Sequence, residues 1–222
     1  SNSLDNYNTM KKTYLGCLAL ITFFISNTVS AQLDSARNPI IFADVPDVSI
    51  IRVGDTWYMS STTMHMSPGV PIMKSKDLVN WQIVNYAYET LGDVDALNLE
   101  NGKNAYGRGS WASCIRYHNN TFYVSTFSST TGKTYIWSTK DIEKGPWKEI
   151  SFSPSFHDHT LVFDDDGRVY LIYGNKKLTL VELNADLSGV KPGGLNQVII
   201  EAVSYTHLRA HETVLDLVCR LL

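Results

Sequence analysis

Two acids occupy corresponding places in the 222-residue sequence: Asp47, after Pro46 and ahead of Val48-Ser49-Ile50-Ile51, and Asp158, after His157 and ahead of His159-Thr160-Leu161-Val162. Each stands just before a short apolar run that reads as a β-strand. If those strands lie side by side, the two carboxylates share one opening. Such a pair suits proton work on a glycosidic bond: one carboxylate accepts a proton from water while another acid donates one to the departing oxygen. Asp44 is a rival to Asp47, but it lacks the preceding proline and falls before the strand, as a loop acid would. His157 and His159 flank Asp158 at a spacing that, on a strand, puts both rings on one face and Asp158 on the other. Two histidines can begin a transition-metal site, but no third ligand stands with them, so neither metal nor cofactor is expected. Asp164-Asp165-Asp166-Gly167 lacks the alternating ligands and closing Glu of a calcium loop and reads as a hairpin turn.

The elements that position these acids recur. Asp47-Val-Ser-Ile-Ile-Arg-Val-Gly-Asp-Thr-Trp-Tyr58 matches Ser113-Cys-Ile-Arg-Tyr-His-Asn-Asn-Thr-Phe-Tyr123 and Asp158-His-Thr-Leu-Val-Phe-Asp-Asp-Asp-Gly-Arg-Val-Tyr170. Each segment is a strand, a tight turn and a second strand with an aromatic pair. Gly54-Asp55, Asn119-Asn120 and Asp166-Gly167 supply the turns, being residues that tolerate the positive φ of short hairpins. The first two units continue alike, Ile72-Met-Lys-Ser-Lys-Asp77-Leu-Val-Asn-Trp81 beside Ile136-Trp-Ser-Thr-Lys-Asp141-Ile-Glu-Lys-Gly-Pro-Trp147, which adds a third strand, a turn and a fourth strand beginning near Trp81 or Trp147. Four antiparallel strands per unit, repeated and uninterrupted by a long helix, is the pattern of a β-propeller blade. An all-β sandwich is the alternative, but a sandwich has no reason to repeat its strand order. About three blades fit, fewer than the four to eight that close a propeller.

Four ordered motifs carry a family resemblance over about residues 38–202. Asn38-Pro-Ile-Ile-Phe-Ala-Asp-Val-Pro-Asp47 with the strand after it, Ser75-Lys-Asp-Leu-Val-Asn-Trp81, Gly109-Ser-Trp-Ala112 and Phe156-His-Asp-His-Thr-Leu-Val-Phe163 resemble glycoside hydrolase family 43. The resemblance implies an all-β, five-bladed propeller hydrolysing xylosides, arabinofuranosides or arabinans with inversion. It implies Asp47 as the general base, and Asp158 as the acid that orients the proton donor and raises its pKa. The family's donor is a Glu at the start of the fourth blade. The pattern breaks at Ala202, and Glu201 and Glu212 sit in no matching motif, so the general acid is absent from these residues and the polypeptide is expected to be inactive. Trp111 is a candidate platform for a sugar ring, and Met64 and His65, between the second and third strands, are candidates for the pocket rim. A carbohydrate-binding propeller without hydrolysis is the other reading, and a metal-dependent hydrolase a third.

Composition agrees with a packed, non-nucleic-acid-binding protein. Hydrophobics are 44% and charged residues 18%, a mixture that argues for a core rather than disorder. The net charge of −3 offers no basic excess for a phosphate backbone, so the expected partner is an oligo- or polysaccharide and not nucleic acid. Met10-Lys11-Lys12, the apolar run Leu15 to Ile25 and Val29-Ser30-Ala31 read as a signal peptide over residues 1–31, cut after Ala31. That predicts export to the periplasm or the medium, with no membrane span once the signal is gone; Cys17 after Leu15-Gly16 hints at lipoprotein anchoring less strongly. Residues 32–202 form the partial propeller. From Val203 the turn residues stop, and residues 203–222 resemble an adapter-derived, non-native tail more than an amphipathic C-terminal helix. Cys114 is then the single cysteine of the propeller segment, read as a small buried hydrophobe.

Overall fold

The computed structural model describes residues 36–65 and 67–201; the apolar leader and the segment from Val203 onward lie outside them. The sheets belong to one compact unit beginning at Asn38. Three four-stranded antiparallel sheets follow one another along the chain. The first holds β1 (Ser49–Val53), β2 (Thr56–Ser60), β3 (Gly69–Ser75) and β4 (Gln82–Tyr88). After a one-turn helix, α1 (Asp95–Asn98), the second holds β5 (Cys114–His118), β6 (Thr121–Ser128), β7 (Lys133–Thr139) and β8 (Lys148–Phe152). The third holds β9 (Thr160–Phe163), β10 (Val169–Tyr173), β11 (Lys177–Leu183) and β12 (Asn196–Glu201). Among the described residues no helix is long and apolar enough to cross a membrane.

Local chemistry explains why the unit repeats. Gly54, at φ 61°, and the pair Asn119 (φ 47°) and Asn120 (φ 56°) occupy the two-residue turns, where positive φ matches the twist of the flanking strands. The third hairpin is longer than its Asp-Gly pair suggests. Residues 164–168 form a five-residue turn closed by Asp164 N–H to Arg168 C=O (2.9 Å). The shared Asp before the fourth strand holds backbone amides. Asp77 Oδ1 accepts from the N–H groups of Val79 (2.9 Å) and Asn80 (2.8 Å), and Asp141 Oδ1 from those of Glu143 (3.0 Å) and Lys144 (3.1 Å). These bonds hold the Asp77 carboxyl far below the usual carboxylate range and turn the chain from β3 into β4 and from β7 into β8.

Because side chains alternate along a strand, the second sheet feeds two cores. Tyr58, Val70, Ile72, Ile115, Val124 and Trp137 are buried between the first and second sheets. Ile136, Phe156, Leu161, Leu171 and Val181 are buried between the second and third. Trp137 stacks on Tyr135 (5.6 Å, 6°) and on Tyr88 of the neighbouring sheet (5.2 Å, 29°), and its indole N–H donates to Glu149 Oε2 (3.0 Å).

The first strands β1, β5 and β9 lie next to one another in space. Their links run through side chains rather than ladder bonds. Ile115 N–H donates to Ser49 Oγ (3.2 Å), while Arg116 donates from Nε to Leu161 C=O (3.0 Å) and from its terminal nitrogens to Ile115 C=O (2.7 Å) and Thr160 Oγ1. Toward the rim, Glu143 joins the first two sheets, accepting from Tyr58 O–H (3.1 Å) and Lys74 Nζ (2.5 Å). Burial and this carboxylate push the Tyr58 hydroxyl up to about 12.

Candidate active site

Asp47 and Asp158 each sit two residues before the first strand of a sheet, ahead of β1 and β9. Both adopt left-handed backbone, φ 52° and 49°, which Asp tolerates better than most side chains. Buried hydrogen bonds hold each in place. The Pro46 carbonyl, joined directly to Asp47, accepts from Ser61 O–H (2.7 Å) and Thr62 N–H (3.4 Å). Ser61 C=O in turn accepts from Ser113 O–H (3.2 Å), which ties this corner to the second sheet. On the other side His159, next to Asp158, is buried. Its Nδ1 lies 2.8 Å from Phe156 C=O and its Nε2 2.9 Å from Ser125 Oγ. A carbonyl can only accept, so Nδ1 carries the proton and Nε2 accepts from the serine hydroxyl. Burial drives the His159 pKa down to about 4, and the ring is neutral.

The structure corrects the reading of the two histidines. Asp158 lies in a turn, so strand alternation does not apply: His159 points into the protein, whereas His157 is about half exposed with Nδ1 3.2 Å from Asp158 Oδ2. Both rings neighbour Phe127 (centroids 5.0 and 6.4 Å), and Asp158 sits beside His157 rather than on the opposite face. Among the described residues no three His, Cys, Asp or Glu side chains gather into a metal-holding group.

The surroundings of Asp158 act on its charge. Loss of hydration pushes the Asp158 carboxyl above its usual range, His157 pulls the other way, and the charge of Asp47 adds a further push.

Trp111 is 38% exposed on the connection into β5. Its indole N–H donates to Gly107 C=O (3.1 Å), and its ring meets Phe127 (6.1 Å) and His157 (6.0 Å) edge-on. It thus packs against the second sheet and borders the group beside Asp158. Met64 and His65 lie on the other side of that connection. Gly109 N–H donates to Met64 C=O, and Met64 N–H donates to Thr62 Oγ1 (3.0 Å). Tyr106, which the sequence reading did not single out, stacks on His65 at 4.3 Å. Its signal was an aromatic set among Asn, Gly and Arg five residues before Trp111.

The Gly109 position tests this geometry. A Cβ there would lie 2.9 Å from the Met64 carbonyl carbon and 3.1 Å from His65 Cα, and nearer still to the Met64 oxygen. Backbone cannot swing aside as a side-chain tip can. Gly109→Ala is expected to lower stability by about 1–3 kcal/mol, the usual cost of overpacking, and to shift the Met64 and His65 amide resonances. Unchanged stability and spectra would contradict the contact.

Residues 36–213 match the glycosyl hydrolases family 43; the matched range runs into the segment that begins at Val203. The chain is 39% identical over 140 residues to a β-xylosidase of Formosa agariphila, with 61% of this chain and 23% of that protein covered. It is 32% identical over 165 residues to a non-reducing end α-L-arabinofuranosidase of Bacteroides ovatus, covering 73% of this chain and 30% of that one. Among solved structures, a bifunctional GH43-CE protein of Bacteroides eggerthii is 66% identical with a TM-score of 0.71, over 75% of this chain and 21% of the other. The chain thus spans less than a third of the length of each of these proteins. With the match running through all three sheets and the repeat motifs in register with them, the chain belongs to glycosyl hydrolases family 43, and its sheets are three blades of the five-bladed β-propeller of that family.

Proposed function

We propose that this chain carries part of the active site of an exported, inverting glycosidase acting on xylan- or arabinoxylan-derived saccharides, of β-xylosidase or α-L-arabinofuranosidase type. Asp47 is the general base that takes a proton from the attacking water. Asp158 orients the proton donor and, by its charge, keeps that donor protonated near neutral pH. Trp111, Met64 and His65 border the sugar. An inverting pair stands roughly 6.5–9.5 Å apart to admit the water. The observation that supports this reading is the matching placement of Asp47 and Asp158, each two residues before the first strand of its sheet, with those strands set beside the first strand of the second sheet. The signal-like residues 1–31 supply the export part of the proposal.

A second reading is a propeller that binds saccharide without cleaving it. Rates on aryl β-xyloside and aryl α-L-arabinofuranoside separate the possibilities. The purified 222-residue polypeptide is expected to give no turnover. A chain extended through the fourth blade of the parent reading frame is expected to release product with inverted anomeric configuration, and Asp47→Asn in it to lose about 10²–10⁴-fold in rate. Turnover by the 222-residue polypeptide removes the claim that it lacks a donor. Binding without turnover by the extended chain selects the second reading.

A further inference from the structure

The side chain of His157 is about half exposed, yet three parts of the chain hold this residue. Its carbonyl accepts from Gly174 N–H (3.2 Å), which ties it to the end of β10. Gly174 has φ 111°, and a Cβ there would run into Lys177 C=O, so the tie needs glycine. The His157 ring lies 5.0 Å from that of Phe127 in β6 and 6.0 Å from that of Trp111 on the connection into β5. Those two rings are fixed to one another. Phe127 is buried, its carbonyl accepts from Trp111 N–H (3.2 Å), and Trp111 C=O accepts from Thr126 O–H (2.8 Å). The second sheet thus gives a residue of the third unit a rigid aromatic seat, which fixes where the polar edge of the imidazole points.

That edge meets Asp158. Nδ1 lies 3.2 Å from Oδ2, and an ionised carboxylate can only accept, so Nδ1 carries the proton in this contact. Two effects oppose each other on the carboxyl: loss of hydration favours the neutral acid, and His157 favours the anion. Phe127 and Trp111 bring no charge and His159 is neutral, so the charge that His157 faces is that of Asp158. The backbone of Asp158 is already set, at φ 49° beside the buried His159, and rotation of its side chain is the freedom that His157 takes up.

We propose that His157 is a positioning residue for Asp158: seated on Phe127 and Trp111, it holds the Asp158 carboxylate at one angle through its Nδ1–H. The proposal rests on the glycosidase reading above, in which Asp158 must be ionised to keep the proton donor protonated. A sugar entering the opening strips water from the carboxylate. The His157 N–H stays when that water leaves, and the charge is preserved when it is needed. His157 acts on the reaction through Asp158.

Carbon-13 NMR of the Asp158 carboxyl in the 222-residue chain tests the link without turnover. His157→Phe keeps a ring on the aromatic seat but removes the donor, and the carboxyl is expected to titrate at higher pH than in the parent chain. His157→Leu, equally without a donor, replaces it if the Phe variant loses its far-ultraviolet circular dichroism. His157→Asn, whose side-chain N–H can stand where Nδ1–H does, is expected to bring the titration back. In the chain extended through the fourth blade, His157→Phe is expected to move the acidic limb of kcat to higher pH. There kcat falls about 10-fold with KM unchanged, the loss when a carboxyl that must be ionised titrates one pH unit higher. An unchanged carboxyl titration in the donor-less variant, or no recovery in the Asn variant, overturns the positioning role and leaves the glycosidase reading standing. No turnover by the unsubstituted extended chain overturns the glycosidase reading, and the role of His157 with it.

Discussion

Lowering the pH from 7 to about 4 is expected to remove on the order of 3 kcal/mol of folding stability through His159 alone. The imidazole is buried with its pKa held down to about 4 against an ordinary 6.5. The unfolded chain takes up a proton as pH falls through 6.5, while the folded chain refuses it until about 4. The unfolded state therefore binds more protons across that window, and stability falls with falling pH there and is level above it. Urea unfolding at pH 7, 5.5 and 4.5 measures the slope. His159→Gln keeps a donor for Phe156 C=O and an acceptor for Ser125 O–H but cannot titrate, so its stability should change less than that of the parent chain over this range. Identical slopes in the two proteins would show that His159 is not the sensor. Protonation here also acts at the proposed site, because His159 adjoins Asp158.

Trp137→Ala is expected to cost about 3–5 kcal/mol, the range for emptying a large aromatic site in a core. The indole is 1% exposed and stacks between Tyr135 of its own sheet and Tyr88 of the first. Its removal opens a cavity where two blades meet and breaks both stacks at once. A domain has roughly 5–15 kcal/mol in total, so the loss takes a large share of it. Trp137→Phe, which keeps a ring in the stack, should recover much of the difference. Guanidinium denaturation gives the number, and a loss below about 1 kcal/mol in the Ala variant would mean that the blades do not depend on this ring.

The fold was legible because its unit repeats. Turn residues at Gly54-Asp55 and Asn119-Asn120, and the Asp77 and Asp141 carboxylates ahead of Trp81 and Trp147, mark backbone requirements that any copy of the unit must meet. Legibility stopped where backbone left the regular pattern. Asp158, at φ 49°, breaks the alternation that would have put it on the face opposite His157, and a period of two says nothing about a turn. The third hairpin outgrew its Asp-Gly pair because Asp164 and Arg168 close a wider loop. Tyr106 was missed for a related reason. It lies on an irregular connection, where no periodicity separates a ring that packs from one held out in solvent, and its contact with His65 spans 41 positions of sequence.

Arg116 reaches from β5 to two residues of β9, and Ser49 reaches from β1 to β5, while each sheet keeps its ladder bonds to itself. The strands that carry the proposed catalytic acids are thus pegged near the axis by single side chains, while farther out Tyr88 of β4 joins the first two sheets through its ring on Trp137. Neighbouring blades are held at two radii by two kinds of bond, polar pegs within and ring contact without, and a substitution at either radius is felt by the next blade.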